Sequence, residues 1–193
     1  MSRLRNEQEP PAAPDEEALA ATRDWLERAV IGLNLCPFAK SVQIKNQIRY
    51  ALSAAQTPED LLADFIAELR LLQAADPAEI DTTLLVHPGV LADFLDYNDF
   101  LELADAAIEA EGLEGEIQVA SFHPHYQFAG TQPEDIENCS NRSPYPTLHL
   151  LREASIARAV AVFPDASQIF ERNIETLRRL GHEGWRRLGL SKP

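Results

Sequence analysis

Hydrophobic and polar positions along the first half of the chain alternate with two different periods. Apolar residues at three-to-four spacing from Asp15 onward predict a helix, which Pro37 ends at or just before Cys36. Partial alternation over residues 41–53 then predicts a half-buried strand, with a hairpin near residues 45–47. The pattern therefore opens with a helix followed by extended structure.

The next segments repeat the order of helix and strand. Thr57 is a good N-cap for a second helix, and Pro58 suits its first position. Residues 82–86 and 116–122 predict two short strands, separated by a helix over residues 96–111. A strand, helix and strand in succession predict parallel neighbours joined by a right-handed crossover.

The last third of the chain begins with a long polar stretch. Residues 125–146 are rich in turn formers and predict a loop, and helical spacing returns from Thr147 and again over residues 167–180. The predicted fold is α/β: a layered domain with a short, partly parallel sheet flanked by helices, and a long polar loop. Residues 1–15 are predicted to form a flexible arm, and residues 16–193 a single α/β domain.

The net charge and the composition indicate which kinds of molecule are disfavoured as partners and where in the cell the protein is expected. The chain has 193 residues and a formal net charge of −14, and this sign disfavours binding to nucleic acid or to an anionic membrane. No apolar run approaches the roughly 20 residues of a membrane span, and the N-terminus lacks the apolar region of an export signal. We therefore expect a cytoplasmic protein with two thiols. Cys36 is expected to be buried and inert, and Cys139 to be more exposed.

Three histidines suggest one chemistry. His87 and His123 each follow a predicted strand in a His-Pro step, so parallel strands would bring them to one edge of the sheet. His125 lies two residues after His123 and would share its face. Together they are candidate ligands of a divalent metal cofactor, and His123 and His125 are candidate catalytic acid–base groups. The alternative is that these histidines only satisfy structural hydrogen bonds.

An arginine suggests a second chemistry. Arg142 is the first cation after a long acidic interval, and a guanidinium suits the capture of a carboxylate or phosphate. The alternative is an internal salt bridge to Glu134, Asp135 or Glu137. The candidate ligand-binding residues around a small anionic molecule are Arg142, Tyr126, Asn141, Arg152 and Glu153.

Several longer motifs together resemble one bacterial family. They are the runs 31–40 (IGLNLCPFAK), 94–100 (FLDYNDF), 121–131 (SFHPHYQFAGT) and 141–146 (NRSPYP), the last leading to LLRE at 150–153. This combination resembles the domain of unknown function 1415 family over about residues 20 to 181. The resemblance implies that the polar loops are a hallmark of the family, and it does not choose among mechanisms.

Three functions remain open from the sequence. The first is an enzyme that acts on a small anionic metabolite with the His and Arg residues of 121–153. The second is a non-catalytic binder of a small ligand in the same region. The third is a protein-interaction module, which predicts a large apolar patch near the loop. The sequence does not indicate the oligomeric state.

Overall fold

The computed structural model describes residues 14–162 and 168–190. The helices are α1 (Pro14–Trp25), continued by a π-helix (Leu26–Ile31), α2 (Ala39–Ile44), α3 (Pro58–Ala74), α4 (Phe94–Ala110), a 3₁₀ helix (Ile136–Ser140), α5 (Glu153–Val162) and α6 (Ile169–Arg187). All of the predicted arm except its last two residues, and the predicted start of the last helix at Ser167, lie outside the described residues. The assignment of residues 16–193 to one domain stays a prediction.

Within the described residues, one mixed sheet contains β1 (Ile48–Leu52), β2 (Thr82–Val86), β3 (Ile117–Phe122) and β4 (Thr147–Arg152). The strands lie in the order β1-β2-β4-β3. β1 pairs parallel with β2, whereas β4 is antiparallel to both of its neighbours. The predicted α/β class, with a short and partly parallel sheet, is confirmed.

The sequence predicts that β2 and β3 are neighbours in the sheet, and this prediction is wrong. The two strands do run in the same direction, but β4 lies between them. The helix expected from Thr147 is also wrong, because residues 147–152 form β4 and the helix begins only at Glu153. A short apolar run that is buried on both faces fits the spacing of a helix as well as that of a strand.

The extended segment expected over residues 41–53 is correct only in its second half. Ala39–Ile44 is a short helix, and no hairpin forms at residues 45–47. Asn46 adopts a positive φ of 56°, a conformation that Asn tolerates better than most residues, and the chain then enters β1 at Ile48. Val42 and Ile44 of α2 lie two residues apart, so they extend the alternating pattern of β1 although they belong to a helix.

The predicted helices α3 and α4 are confirmed, and both are capped at their first turn. Thr57 accepts a hydrogen bond from the Asp60 backbone N–H, and Asp93 accepts from the N–H groups of Leu95 and Asp96. The two helices cover one face of the sheet. Large aliphatic and aromatic side chains fill the space between them and the sheet: Leu61, Phe65, Leu69, Leu72, Leu85, Tyr97, Phe100, Leu148 and Leu150.

The opposite face of the sheet is covered differently. Trp25, at the end of α1, and Leu26 and Val30, in the π-helix, form a second apolar cluster. The ring of Trp25 packs edge-on against Phe122 of β3, with 5.0 Å between the ring centroids. This cluster covers only part of the face, and the remainder borders a cavity described below.

One buried hydroxyl group ties α4 to the sheet. The Tyr97 hydroxyl donates a hydrogen bond to the Thr147 carbonyl at 2.8 Å and accepts one from the Phe122 N–H at 3.1 Å. Thr147 begins β4 and Phe122 ends β3, so the hydroxyl bridges these two strands at the point where their pairing ends. Burial raises the pKa of Tyr97 well above its usual value, so the group keeps its proton.

We predict that Tyr97→Phe lowers the free energy of unfolding by about 1–3 kcal/mol, because it leaves one buried N–H and one buried C=O without a partner. Urea unfolding followed by circular dichroism measures this change. The matched control is Tyr126→Phe, since the Tyr126 hydroxyl makes no hydrogen bond to any described residue. Equal stability of the two variants would contradict the role given to the Tyr97 hydroxyl.

Candidate functional site

His87 and His123 lie at the same edge of the sheet, as their His-Pro steps predict. His87 follows β2 and His123 follows β3, and both rings pack against Tyr97 with centroid distances of 5.8 and 5.0 Å. The His125 ring lies 5.8 Å from that of His123, but its side chain is exposed. The three histidines therefore come together, even though β4 separates the strands that carry two of them.

The ring nitrogens of His123 are both engaged with the protein. Its Nδ1 accepts from the His125 N–H at 3.0 Å, so the proton is assigned to Nε2, which donates to the Leu91 carbonyl at 3.1 Å. Leu91 has a positive φ of 58°, which is a strained conformation for a bulky residue. His123 therefore helps to hold a strained turn.

His87 is similarly engaged through one nitrogen. Its Nδ1 lies 3.1 Å from the Val90 carbonyl, which makes Nδ1 the donor, and its Nε2 is buried without a partner among the described residues. Burial lowers the pKa of His87 to about 4 and also lowers that of His123. Both rings are therefore neutral near pH 7.

The geometry gives the metal interpretation no support. Within residues 14–162 and 168–190, no group of three His, Cys, Asp or Glu side chains is arranged to hold a metal ion. A metal bound by His123 would have to displace one of the two hydrogen bonds that its ring makes. A catalytic role for His123 and His125 stays a prediction.

Arg142 contacts the backbone of its own loop. Its Nε donates to the Tyr126 carbonyl at 3.0 Å, and one terminal nitrogen donates to the Pro133 carbonyl at 2.6 Å. The salt bridge that was the alternative to an anion site is not formed, and Glu137 pairs instead with Arg178 at 2.8 Å. The guanidinium thus fastens two turns of the long loop, and a bound anion at Arg142 stays a prediction.

Asn141 also has a structural contact. Its side-chain amide donates to the Ser121 carbonyl at 3.2 Å, and its own carbonyl accepts from the His123 N–H at 3.1 Å. These bonds attach the long loop to the end of β3. Asn141, Arg142 and Tyr126 therefore lie together, as the sequence predicts.

Arg152 and Glu153 lie away from the other three candidate ligand residues. The Arg152 guanidinium donates to the carbonyl of Leu72, in the last turn of α3, and to those of Ala75 and Ile80, which follow the helix. Arg142 precedes β4, whereas Arg152 ends it, and a strand of this length spans about 17–20 Å. The five residues predicted around one anion therefore belong to two places, and Arg152 caps the C-terminus of a helix.

A cavity of about 890 Å³ lies on the face of the sheet opposite α3 and α4. Its floor is formed by alternate residues of the strands, and its walls by the π-helix, the segment 36–45 and α5. The lining side chains of the floor are Ile48, Thr82, Leu84, Gln118, Ala120, Phe122, His149 and Leu151. The walls include Trp25, Leu26, Val30, Cys36, Phe38, Val42, Ile156 and Ala159.

The cavity has an apolar part and a polar rim. Aliphatic and aromatic side chains make most of the lining, but Lys45 and Arg158 lie at its edge and are exposed to solvent. Arg158 contacts the Ser155 hydroxyl at 2.8 Å and lies 3.8 Å from Asp81. The cavity therefore opens to the surface beside charged groups.

His149 lies in the middle of the cavity floor. The register of the sheet places it between Leu84 of β2 and Ala120 of β3, with all three side chains on the same face. Its Nε2 lies 2.7 Å from the Thr82 hydroxyl oxygen. Burial lowers the pKa of His149 to about 4, so the imidazole is neutral near pH 7. The sequence pattern missed this residue as a site because it assigned it to a helix.

The two cysteines differ from expectation. Cys36 lies in the turn that leads into α2 and lines the cavity, and it is half-buried rather than fully buried. Cys139, expected to be exposed, is buried with Leu35 and Leu177. Burial raises the pKa of both thiols, which is the direction expected of unreactive cysteines.

A model of one protein family matches residues 17–187 of the chain; its description is "Protein of unknown function (DUF1415)". The chain belongs to this family. No curated protein and no solved structure matches it. Membership of DUF1415 confirms the resemblance seen in the motifs and assigns no activity. Among the described residues, no helix is long and apolar enough to cross a membrane.

For this DUF1415 protein we predict that His149 makes stability depend on pH. Its folded pKa of about 4 lies below the unfolded value of about 6.5, so the unfolded state binds a proton first as the pH falls. Stability is therefore lost between about pH 6.5 and 4, by up to about 3 kcal/mol at 1.4 kcal/mol per pKa unit.

Urea unfolding of wild type and His149→Gln at several pH values measures this contribution. The stability of the variant should fall less steeply over the same range, so the gap between the two proteins narrows toward pH 4. His182→Gln is the control, because His182 is exposed, and it should follow the wild type. Parallel curves for all three proteins would refute the prediction.

Proposed function

We propose that the protein binds a small, largely apolar molecule in the cavity between the sheet, the π-helix and α5. The observation that carries this proposal is the cavity itself. Its volume of about 890 Å³ lies within the range of roughly 300–1,000 Å³ that is typical of small-molecule sites. Protein interiors are otherwise close-packed, with few voids larger than a water molecule.

The lining supports a small molecule with an apolar body. Phe38, Val42 and Phe122 are partly exposed in the cavity, and a ligand that removes this apolar surface from water gains free energy. The few polar groups sit on the floor and at the rim, which is the usual arrangement for fixing a ligand's orientation. Ligand binding was one of the functions open from the sequence, but this cavity lies on β4 and its neighbours rather than at Arg142.

The π-helix gives a second, independent support. Leu26–Ile31 borders the cavity through Leu26 and Val30. A single π-helical turn is less stable than a continuous α-helix, and such turns occur often at functional sites. Its presence in the cavity wall fits a site that has been shaped for a ligand.

We predict that the neutral apolar fluorophore N-phenyl-1-naphthylamine binds the full-length protein at a single saturable site. Ala120→Phe should weaken this binding more than about ten-fold, because a phenyl ring on the cavity floor occupies the space of the ligand. Fluorescence titration gives the affinity, and circular dichroism with a thermal melt establishes that each variant is folded.

Two further variants sharpen the test. Ala159→Phe narrows the cavity from the α5 wall and should also weaken binding. Ala106→Phe makes the same chemical change at an exposed position on α4, across the sheet from the cavity, and should leave binding unchanged. The proposal fails if the wild type does not bind the fluorophore, or if folded Ala120→Phe and Ala159→Phe bind it as tightly as Ala106→Phe does.

A further inference from the structure

The hydrogen bonds around Thr82 fix the proton of His149. The Thr82 hydroxyl has a single proton, which it donates to the Leu150 carbonyl at 2.6 Å. His149 Nε2 lies 2.7 Å from the same oxygen, so Nε2 has to be the donor in that contact. The proton of the neutral ring is thereby assigned to Nε2, and Nδ1 carries a free lone pair.

This Nδ1 atom has no hydrogen-bond partner among the described residues. The protein does not enclose Nδ1 fully, and the His149 side chain lines the cavity. The lone pair is therefore open to the cavity. An acceptor in apolar surroundings without a partner is costly, and a ligand that donates a hydrogen bond would remove this cost.

Gln118 supplies a second polar group on the same floor. It lies two residues before Ala120, the residue of β3 that pairs with His149. Residues in this diagonal relation have Cα atoms about 7–8 Å apart, so the side chains of Gln118 and His149 can both reach one ligand group. The Gln118 amide also has no partner among the described residues.

We propose that the cavity takes an apolar molecule that bears a hydroxyl group, which donates its proton to His149 Nδ1 and accepts a hydrogen bond from the Gln118 amide. This assignment rests on the proposed function and names its class of ligand. A hydroxyl group both donates and accepts, so it matches both partners. A carboxylate cannot donate, and its charge is repelled by the Nδ1 lone pair.

The neutral state of His149 agrees with this assignment. Burial keeps the imidazole uncharged near pH 7, so the ring offers an acceptor rather than a cation. Three cations line the cavity: Lys45 and Arg158 are exposed at the rim, and the half-buried Arg152 already donates to the carbonyls of helix α3 and the segment after it. The floor of the cavity is thus suited to a neutral polar group, whereas the exposed charged groups at its rim are hydrated.

The test uses two probes that differ by one methyl group, 4-hexylphenol and 4-hexylanisole. Their affinities for the full-length protein are measured by displacement of N-phenyl-1-naphthylamine. The phenol should bind the wild type about ten-fold more tightly than the anisole, because only the phenol can donate to His149. His149→Phe should reduce this ratio through weaker binding of the phenol, with little change for the anisole. Gln118→Leu should weaken the binding of both probes, because the oxygen atom of either one can accept from the Gln118 amide.

His182→Phe is the matched control, since it makes the same substitution at an exposed histidine outside the cavity, and its ratio should equal that of the wild type. The nitrogen resonances of His149 in ¹⁵N-labelled wild type provide a measurement that needs no variant. The Nδ1 resonance should move when the phenol is added and stay in place when the anisole is added.

Equal affinities of the two probes for the wild type, or an unchanged Nδ1 resonance with bound phenol, would overturn the hydroxyl assignment and leave the proposed function standing. A ratio that His149→Phe retains would do the same. Failure of the fluorophore itself to bind the wild type would overturn the proposed function, and this assignment with it.

Discussion

The hydrogen-bonded ladders on both sides of β4 are the interaction on which the rest of the structure depends. Residues 147–152 pair with β2 along one edge and with β3 along the other, so β4 alone joins the two halves of the sheet. The same strand places Leu148 and Leu150 in the core under α3 and α4, and His149 on the opposite face. One six-residue segment thus decides where the core and the cavity lie.

Side-chain hydrogen bonds also fix both ends of β4. At its start, the Tyr97 hydroxyl accepts from one strand and donates to the other, and the long loop is tied to the end of β3 through Asn141. At its end, Arg152 bonds carbonyls that follow α3. Polar residues that the sequence suggests as ligand contacts therefore serve to fix the strand in register.

Part of this arrangement can be predicted from the sequence, and the part that cannot depends on contacts between segments distant in the chain. The capped helix at Thr57 and the strand at residues 82–86 are encoded locally, by a side-chain cap and by a short apolar run between turns. The role of residues 147–152 is decided by partners distant in the chain. Their apolar spacing suits either type of structure, and only pairing with β2 and β3 selects the strand.

The same limit explains why the sequence indicated one site and the structure favours another. The convergence of His87 and His123 could be predicted, because both follow strands of the same direction. The cavity could not, because its floor combines residues from four strands whose order the sequence does not reveal.

The two faces of the sheet differ in the size and polarity of the side chains they present. Toward α3 and α4, β4 directs Leu148 and Leu150, which are fully buried in a close-packed core. Toward the cavity, β3 directs Gln118 and Ala120, of which one is polar and the other small. Small and polar residues on a covered face leave space and unpaired groups that a core would exclude.

The histidines of the two faces show what this difference means for function. Both nitrogens of His123 are bonded to the protein, and its ring supports the strained turn at Leu91. His149 has the same neutral ring, but only one of its nitrogens is bonded, and the other faces the cavity. A neutral imidazole with one satisfied nitrogen has a fixed tautomer and one directed lone pair. That combination holds a ligand's donor in one orientation, which a fully bonded histidine cannot do.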